Sequence, residues 1–467
     1  MKKIYSFFIF ILFPLIAVSQ YGPQQIISTT ANGADKVYAA DLSGNGFNDV
    51  IVLCSNPDYQ IIWYENLDGN GNFGPATVLS DTPAFFLYFE AVDINSNGHL
   101  DILYLENNPR RLVWKENLDG SGNFGPEQVI LENQSAFIME VKTFDLNNDS
   151  HPDIVIRFSN SFFEDHIVWY ENLNGSGSFS EPILLINNIK EATGPLIVDI
   201  DNDGLPDLLL AYNEYDPAGK LVWYKNLGNQ TFGVEQLIYQ FDFFMSDWTR
   251  IINIKVVDIN TNGKNDIVIT SHNDDTGTFL HLIENIDNLG TFSDLMPVNI
   301  SSISFDFYDL DNDGDMDVLI YNRFSNSITW QKNISGDGVF SSPMLVSSDV
   351  LSLRHAIAAN IKDNGELEVI SASFNDNKVA WYEFLGLNTG EFEQAQLNIY
   401  PNPGTDFITI QSPQRISTLS LFDVHGKKLD IHFDVNKIDI SSLNTGVYFL
   451  RVYFENHTEV TKKIIKQ

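Results

Sequence analysis

Short apolar runs alternate with polar turns through most of the chain, and one kind of turn follows a fixed pattern. In it, acidic or amide residues at every second position precede a glycine and a further acid. The clearest copy spans residues 199–207 and lies between the apolar runs 196–198 and 208–211. Short apolar runs bounded by turns predict buried β-strands. The turn therefore caps a β-hairpin.

This turn occurs seven times, with spacings of 51 to 59 residues between successive copies. Each of the first six periods also contains a third apolar run, a glycine-rich turn and a fourth apolar run. The third run carries a recurrent tryptophan, which we interpret as packing between repeats rather than as a ligand platform. These tryptophans are Trp63, Trp114, Trp169, Trp223, Trp330 and Trp381. Four short strands per period of about fifty residues predict an all-β fold with a seven-bladed β-propeller.

The two ends of the repeat region complement each other. Residues 21–28 match residues 73–80, the fourth strand of the first period, although no blade precedes them. The last period stops near residue 385 without a fourth strand. We therefore expect residues 21–28 to complete the last blade, which would close the ring and remove its exposed edges.

The first 19 residues have the features of a signal peptide. Lys2 and Lys3 precede an apolar run that ends in small residues suited to cleavage. The alternative is a membrane anchor, but the run is shorter than the ~20 residues that a spanning helix needs. No later segment is long and apolar enough to span a bilayer, so we expect an exported chain without a transmembrane helix.

The net charge bears on which partners the chain can bind, and the cysteine content bears on how the chain is stabilised. The formal net charge is −35, and the acidity lies almost wholly in the repeat region. Nucleic-acid binding needs a basic surface and is not expected here. The single cysteine, Cys54, cannot form an internal disulfide. The core, together with any bound metal, must then hold the exported chain together.

The chain changes character after a polar linker at residues 387–396. From residue 397 to 467, alternating strands with proline and glycine turns predict a small Ig-like β-sandwich. The motif Tyr-Pro-Asn-Pro at 400–403, the Gly-Val-Tyr strand at 446–448 and the lysine-rich end resemble the type A sorting domain of the type IX secretion system of Bacteroidetes. The alternative is an ordinary Ig-like adhesion module.

The tail's resemblance has consequences for location and partners. It implies transport by the type IX machinery through the outer membrane and removal of residues 397–467 by the associated sortase. The mature chain would then end near residue 395. Release into the medium and attachment to the outer cell surface both remain open.

Residues 20–386, with their acidic loops and recurrent Phe-Gly motifs, resemble FG-GAP or VCBS-type repeats, the calcium-binding blades of integrin-α-like propellers. This resemblance implies one calcium ion in each intact loop, and up to six ions in the chain. The implied side-chain ligands are Asp41, Ser43, Asn45 and Asp49; Asp93, Asn95, Asn97 and Asp101; Asp145, Asn147, Asp149 and Asp153; Asp199, Asp201, Asp203 and Asp207; Asp258, Asn260, Asn262 and Asp266; and Asp309, Asp311, Asp313 and Asp317.

Two loops depart from the pattern. Ser150 replaces the glycine of the third loop, where a positive φ would cost backbone strain. The seventh loop begins at Asn360, places Lys362 where a ligand is expected, and ends in Glu368. We do not count it as a metal site. By number of carboxylates, the fourth and sixth loops should bind calcium most tightly.

We interpret the calcium loops as scaffold and look to the opposite face for ligand binding. The variable turns there contain exposed aromatic and charged candidates, which would suit a glycan or a protein loop. They are Phe243, Phe244, Trp248, Arg250, Arg110 and Tyr215. Alternatively, Phe243 and Phe244 simply belong to the core of the adjacent strand.

No nucleophile, paired acid and base, or zinc motif is evident in the sequence. We therefore predict a secreted or cell-surface binding and adhesion module, monomeric and non-catalytic. One alternative is a polysaccharide-acting lyase or hydrolase built on the calcium-binding propeller. The missing motif does not exclude it, because propeller active sites are assembled across blades. Another is a passive surface-layer protein without a small ligand.

Overall fold

The computed structural model is all-β, as the sequence predicts. It describes residues 20–467 apart from 56, 83–84, 133–135, 161–163, 213–218, 229, 241–248, 274–276, 301, 303, 335, 387–397, 412–415, 423–426, 430–432, 435–436 and 455–458. The predicted signal peptide and most of the predicted linker lie outside the described residues. Within the described part, no helix is long and apolar enough to cross a membrane. The chain forms two units, Met1–Leu385 and Gly386–Gln467.

The first unit begins with β1 (Gln25–Ser28) and continues as consecutive four-stranded antiparallel sheets, which we number 1 to 6. Their strands are β2 (Ala34–Ala40), β3 (Asp49–Cys54), β4 (Ile61–Tyr64) and β5 (Thr77–Ser80); β6 (Phe86–Val92), β7 (Asp101–Asn107), β8 (Arg110–Lys115) and β9 (Gln128–Glu132); β10 (Phe137–Phe144), β11 (Asp153–Ser159), β12 (Glu164–Tyr170) and β13 (Ile183–Lys190); β14 (Thr193–Val198), β15 (Asp207–Tyr212), β16 (Lys220–Tyr224) and β17 (Gln236–Gln240); β18 (Thr249–Val257), β19 (Asp266–Asn273), β20 (Gly277–Ile283) and β21 (Met296–Val298); and β22 (Phe305–Tyr308), β23 (Asp317–Asn322), β24 (Ser327–Gln331) and β25 (Met344–Ser347). In each sheet the four strands pair in chain order.

Sheet 7 differs in where its fourth strand comes from. It consists of β26 (Leu353–Ala359), β27 (Glu368–Ser373) and β28 (Lys378–Tyr382), and β1 pairs antiparallel with β28. Tyr21 and Phe384 extend this pairing by an isolated bridge. The N-terminal strand therefore supplies an edge that the last repeat lacks.

The second strand of each sheet is buried along most of its length. In β3, β11, β15 and β27 every residue is buried, because neighbouring sheets cover both faces of the strand. An apolar core lies between each sheet and the next, and the described residues also form one between sheets 7 and 1. That last core includes Val50 of sheet 1 and Ile370 of sheet 7.

The recurrent tryptophans are buried between sheets. Several of them lie under a glycine in the glycine-rich turn of a neighbouring sheet. A Cβ built on Gly122 would come within 2.3 Å of Trp63, and one on Gly71 within 2.3 Å of Trp381. Both glycines have positive φ, 79° and 80°. The glycine is therefore needed both for the turn and for the close approach of the indole ring.

The second unit contains two four-stranded sheets. One is ordered β29 (Asn398–Tyr400), β30 (Phe407–Gln411), β34 (Lys437–Asp439) and β33 (Phe433–Asp434), and the other β32 (Lys428–Leu429), β31 (Ile416–Phe422), β35 (Gly446–Phe454) and β36 (Glu459–Lys466). Both contribute to one apolar core, for example through Ile408, Leu421 and Leu450. The Ig-like description of this sandwich stays a prediction.

Candidate metal sites

In every sheet of the first unit, the acidic turn joins the first strand to the second. We number its residues 1 to 9, so that in the fourth turn Asp199 is position 1 and Asp207 position 9. The position-1 aspartate accepts hydrogen bonds from the backbone N–H groups of positions 5 and 6, at 2.7–3.1 Å in sheets 1 to 6. These bonds curl the turn around its own first side chain.

Position 6 needs a left-handed backbone. The glycine there has φ between 80° and 94°, and Ser150, which replaces it in the third turn, has φ 72°. A Cβ built on the glycine of the other turns meets nothing within 4 Å. The serine therefore fits without a clash, and its cost is confined to backbone strain at positive φ.

The position-9 aspartate is completely buried in sheets 1 to 6, and backbone groups bind both of its oxygens. In sheet 4, Asp207 accepts N–H bonds from Ile200 at 3.0 Å and from Asn226 at 2.7 Å. Burial, with the charges of Asp201 and Asp203, raises the pKa of Asp207 to about 7, although those N–H groups lower it. A cation in the turn would favour the charged form.

The asparagine after the third strand was not identified from the sequence, and it links neighbouring sheets. Asn117 of sheet 2 donates through Nδ2 to the Leu42 carbonyl of the preceding turn at 2.9 Å. The other bonds of this type run from Asn66 to Ile361, Asn172 to Ile94, Asn226 to Leu146, Asn285 to Ile200 and Asn333 to Ile259, at 2.8–3.1 Å. We call these six residues the linking asparagines. Their recurrence at one place in each period is the sequence signal.

Positions 1, 3 and 9 converge in two turns. Carboxylate oxygens of Asp199, Asp201 and Asp207, and likewise those of Asp309, Asp311 and Asp317, lie within 4.8 Å of one another. These two groups could hold a metal ion. The other predicted sets contain asparagine or serine at position 3, and whether each of them binds an ion remains a prediction.

Two buried carboxylate oxygens without hydrogen-bond partners indicate whether these residues suit a cation. The Oδ1 atoms of Asp201 and Asp311 are buried and have no hydrogen-bond partner. The Asp311 side chain is only 1% exposed. Such an atom normally requires an explanation, and hard oxygen donors are the ligands that Ca²⁺ prefers. The two groups therefore fit calcium by the chemistry of their donors.

In sheets 2 to 7, position 3 also contacts the residue that directly follows the third strand of its own sheet. In sheets 1 to 6 this residue precedes the linking asparagine. We call that residue the partner residue. It is Glu65, Glu116, Glu171, Lys225, Glu284 and Lys332 in sheets 1 to 6, and Glu383 in sheet 7. Lys225 binds Asp201 and also Asp203, the latter at 2.8 Å. Lys332 binds Asp311 and also Asp313, the latter at 2.6 Å.

The glutamate partner residues of sheets 2, 3 and 5 accept hydrogen bonds from position 3, whereas the lysine partner residues donate to it. Glu116 accepts from the Asn95 amide at 2.9 Å. The corresponding bonds join Glu171 to Asn147 at 3.0 Å and Glu284 to Asn260 at 3.2 Å. The partner residue is thus an acceptor where position 3 is an amide donor and a cation where position 3 is an aspartate. The partner residue was not among the site residues predicted from the sequence.

In the seventh turn, Glu368 occupies position 9 and accepts the Ile361 N–H at 2.8 Å. Lys362, at position 3, forms an ion pair with Glu383. The buried Asn360 Oδ1 and Glu368 Oε1 have no hydrogen-bond partner. The ammonium of Lys362 thus points to the partner residue, as the position-3 amides do in sheets 2, 3 and 5.

Of the six candidates for ligand binding on the opposite face, Phe243, Phe244, Trp248 and Tyr215 lie outside the described residues. Arg110 lies over the Phe137 ring at 3.8 Å and donates to the Ala136 carbonyl at 3.4 Å. Arg250 is exposed. It lines a depression of about 320 Å³ together with Arg157, Asp165 and Glu191.

A second depression on the same face, of about 350 Å³, lies between sheets 5 and 6 and was not anticipated. Its lining includes Ser302, Tyr321, Arg323 and Phe324. Phe324 is 77% exposed, and the Arg323 guanidinium lies 4.8 Å from the centre of its ring. Both depressions lie at the strand ends opposite to the acidic turns.

Two family profiles match the chain. A profile described as "FG-GAP-like repeat" matches residues 41–104, 93–156, 145–210 and 199–269. Each match begins at position 1 of one acidic turn and extends through the next turn. A profile described as "Secretion system C-terminal sorting domain" matches residues 398–467. A search of curated proteins found no match to this chain.

Three solved structures are similar to the chain at low identity. Two are crystal structures of BBS1N in complex with ARL6DN, one soaked with lead and one with mercury. The lead-soaked structure is 9% identical, with a TM-score of 0.46, over 78% of this chain and 97% of that one. The mercury-soaked structure is 10% identical, with a TM-score of 0.45, over 79% and 98%. The third is a Photorhabdus luminescens Tc holotoxin pore, 12% identical, with a TM-score of 0.39, over 95% of this chain and 19% of that one.

Proposed function

We propose, from the premise that this chain contains FG-GAP-like repeats at residues 41–269 and a secretion system C-terminal sorting domain at residues 398–467, that it is an exported, calcium-stabilised propeller. Its seven sheets would be the blades of a closed ring. The acidic turns on one face would hold calcium as scaffold, and the opposite face would bind a glycan or a protein without catalysis. The main support for calcium is the pair of buried carboxylate oxygens without partners, on Asp201 and Asp311.

The physical reason for calcium is charge. Each acidic turn gathers carboxylates, and a divalent cation with oxygen ligands offsets their mutual repulsion. Because the folded turn binds the ion and the unfolded chain largely does not, calcium should stabilise the fold by mass action. Bound divalent ions would also offset part of the net charge of −35.

Thermal melting in millimolar calcium and in chelator tests this proposal. We expect a higher Tm in calcium, and we expect Asp311→Asn to reduce the calcium-dependent part of the Tm. Asp315→Asn is the matched control, because Asp315 lies at position 7 of the same turn and is not among the proposed ligands. Identical melting curves of the unsubstituted protein in calcium and in chelator would overturn the calcium proposal.

The sorting domain indicates export by the type IX secretion system and an extracellular or cell-surface location. We propose that this domain is removed during export, which would leave a mature chain ending near residue 395. Intact mass spectrometry of the exported protein tests this. A mature form that retains Lys466 would contradict it.

The ligand-binding part of the proposal rests on the two depressions opposite to the acidic turns. An exposed aromatic ring next to an arginine, as at Phe324 and Arg323, suits stacking against an apolar face of a ligand that also carries polar groups. This combination favours a glycan or a protein loop.

A glycan array and an adhesion assay with Phe324→Ala test the binding face. Leu289→Ala is the control, since Leu289 is equally exposed, at 77%, in the glycine-rich turn on the other face. We expect Phe324→Ala to lose binding and Leu289→Ala to keep it. Cleavage of a bound polysaccharide would contradict the non-catalytic part of the proposal.

A further inference from the structure

The two turns with the most carboxylates are also the two that face a lysine. Lys225 contacts positions 3 and 5 of the fourth turn, and Lys332 contacts the same positions of the sixth turn. In sheets 1, 2, 3 and 5 the partner residue is a glutamate, and position 3 is uncharged. Charge at position 3 and charge at the partner residue therefore change together from sheet to sheet.

Including the partner residue changes the charge balance of the sites. Positions 1, 3, 5 and 9 alone carry four negative charges in the fourth and sixth turns but two in the first, second and fifth. With the partner residue, all five carry a net charge of −3, and the third turn carries −4. The partner residue thus brings the net charges of these sites to within one unit of each other, although their carboxylate numbers differ up to twofold.

We propose that the partner residue sets how strongly each turn depends on calcium. This inference rests on the proposed calcium sites. Lys225 and Lys332 act as built-in cations, which stabilise the calcium-free turn and oppose calcium. Glu116, Glu171 and Glu284, which accept hydrogen bonds from the position-3 amides, add negative charge beside the site and favour calcium. The fourth and sixth turns are then the least calcium-dependent, contrary to the ranking by carboxylate number.

Geometry supports an electrostatic role for the two lysines. Their carboxylate partners at position 3 are shielded from water, with side-chain exposures of 10% for Asp201 and 1% for Asp311. A charge interaction is screened less in such a place than at the open surface. Each lysine binds Oδ2 of the position-3 aspartate, and Oδ1 is left buried without a partner. The calcium-free turn is therefore only partly neutralised, and calcium would enter a site that already contains a positive charge.

The test compares Lys225→Met and Lys332→Met, alone and combined, with Glu116→Gln in the full-length chain. Calcium binding is measured by calorimetry on chelator-stripped protein, and Tm is measured in calcium and in chelator. Hydrogen exchange of the turn peptides assigns each change to its sheet. Lys220→Met is the control, because Lys220 begins the strand that ends just before Lys225 and forms an ion pair with Glu235 at 2.5 Å.

We expect opposite effects at the two kinds of turn. The lysine substitutions should lower Tm in chelator and raise calcium affinity at their turns by at least about tenfold, since a positive charge beside a divalent ion opposes its binding even when water screens the interaction. Glu116→Gln should lower affinity at the second turn by a similar factor, with little effect in chelator. Lys220→Met should change neither calcium affinity nor the difference between the two Tm values.

Equal losses of Tm in calcium and in chelator, with unchanged affinity, would show ordinary structural ion pairs and overturn the inference. Failure of the calcium proposal gives a different result from failure of this inference about the partner residue. If the unsubstituted protein ignores calcium, the proposed function is wrong. Lysine variants that then acquire a calcium response would still support the inference, whereas variants without one would overturn it as well.

Discussion

Sheet 7 differs from sheets 1 to 6 at three equivalent places. Where the other sheets have a buried aspartate at position 9, sheet 7 has Glu368. Where they have a linking asparagine, it has Phe384. Its fourth strand is β1, from the other end of the unit, whereas theirs follow directly along the chain. The same architecture is therefore built with different contacts.

Sheet 7 is joined to the sheet before it by a different kind of contact from sheets 1 to 6. In sheets 1 to 6 a buried polar side chain donates to a turn carbonyl of the preceding sheet. In sheet 7 the contact is aromatic: the Phe384 ring lies 5.2 Å from Tyr21 and 6.3 Å from Trp330 of sheet 6. Tyr21 belongs to the N-terminal segment. Among the described residues, the junction between sheets 6 and 7 therefore has an aromatic contact where the other junctions have a linking asparagine.

The largest effect is expected from deleting residues 21–28. The deletion removes the edge strand of sheet 7 and the buried Tyr21 ring, which is 3% exposed. Truncating one buried aromatic residue already costs about 3–5 kcal/mol, so we expect a loss of more than about 5 kcal/mol in the free energy of unfolding. Urea denaturation measures it.

Ile26→Ser is the control for the deletion, because Ile26 is 58% exposed and the substitution keeps the strand's backbone pairing. It should change stability by less than about 1 kcal/mol. If the deletion variant is as stable as the full-length protein, the N-terminal strand does not close the unit.

A smaller effect is expected from removing a linking asparagine. In Asn117→Ala, the Leu42 carbonyl of sheet 1 and the Leu100 carbonyl lose their donor, and the Gly122 N–H loses its acceptor. A buried polar group left without a partner costs about 1–3 kcal/mol, so the variant should lose about 2–4 kcal/mol in urea denaturation.

Asn123→Ala, an exposed asparagine of the same glycine-rich turn, is the matched control and should be nearly neutral. Phe384→Asn adds a second comparison. If asparagine alone made the junction, this variant would be as stable as the native protein. We expect it to be less stable, since Tyr21 and Trp330 would lose their aromatic partner.

The features that repeat locally could be predicted from the sequence. Alternating acids before a glycine placed each turn correctly between two strands, and the all-β class with repeated four-stranded sheets is confirmed. The two family resemblances are confirmed by the matching profiles. These predictions succeeded because turn chemistry and short apolar runs depend on residues that are close in the chain.

Contacts between distant residues could not be predicted in the same way. The carbonyl that Asn285 binds lies 85 residues earlier in the chain, and the one that Asn66 binds lies 295 residues later. Lys225 faces Asp201 only because the third strand ends next to the turn. The ranking of the turns by carboxylate number omitted this lysine, since nothing local to the turn contains it.

The smallest effect on stability is expected from giving the seventh turn the residues of the fifth at positions 1, 3 and 9. The substitutions are Asn360→Asp, Lys362→Asn and Glu368→Asp, and they leave Glu383 to accept from the new amide, as Glu284 does from Asn260. The turn keeps its positive φ of 82° at Gly365, so its backbone already suits the pattern. We expect one additional calcium ion per chain by calorimetry and a change in stability of only about 1 kcal/mol in millimolar calcium.

Asn360→Asp alone is the control and should gain no ion, because Lys362 still occupies position 3. If the triple variant folds and binds no more calcium than the native protein, then residue identity at these positions does not distinguish sheet 7 from the others, and the backbone of the seventh turn must do so.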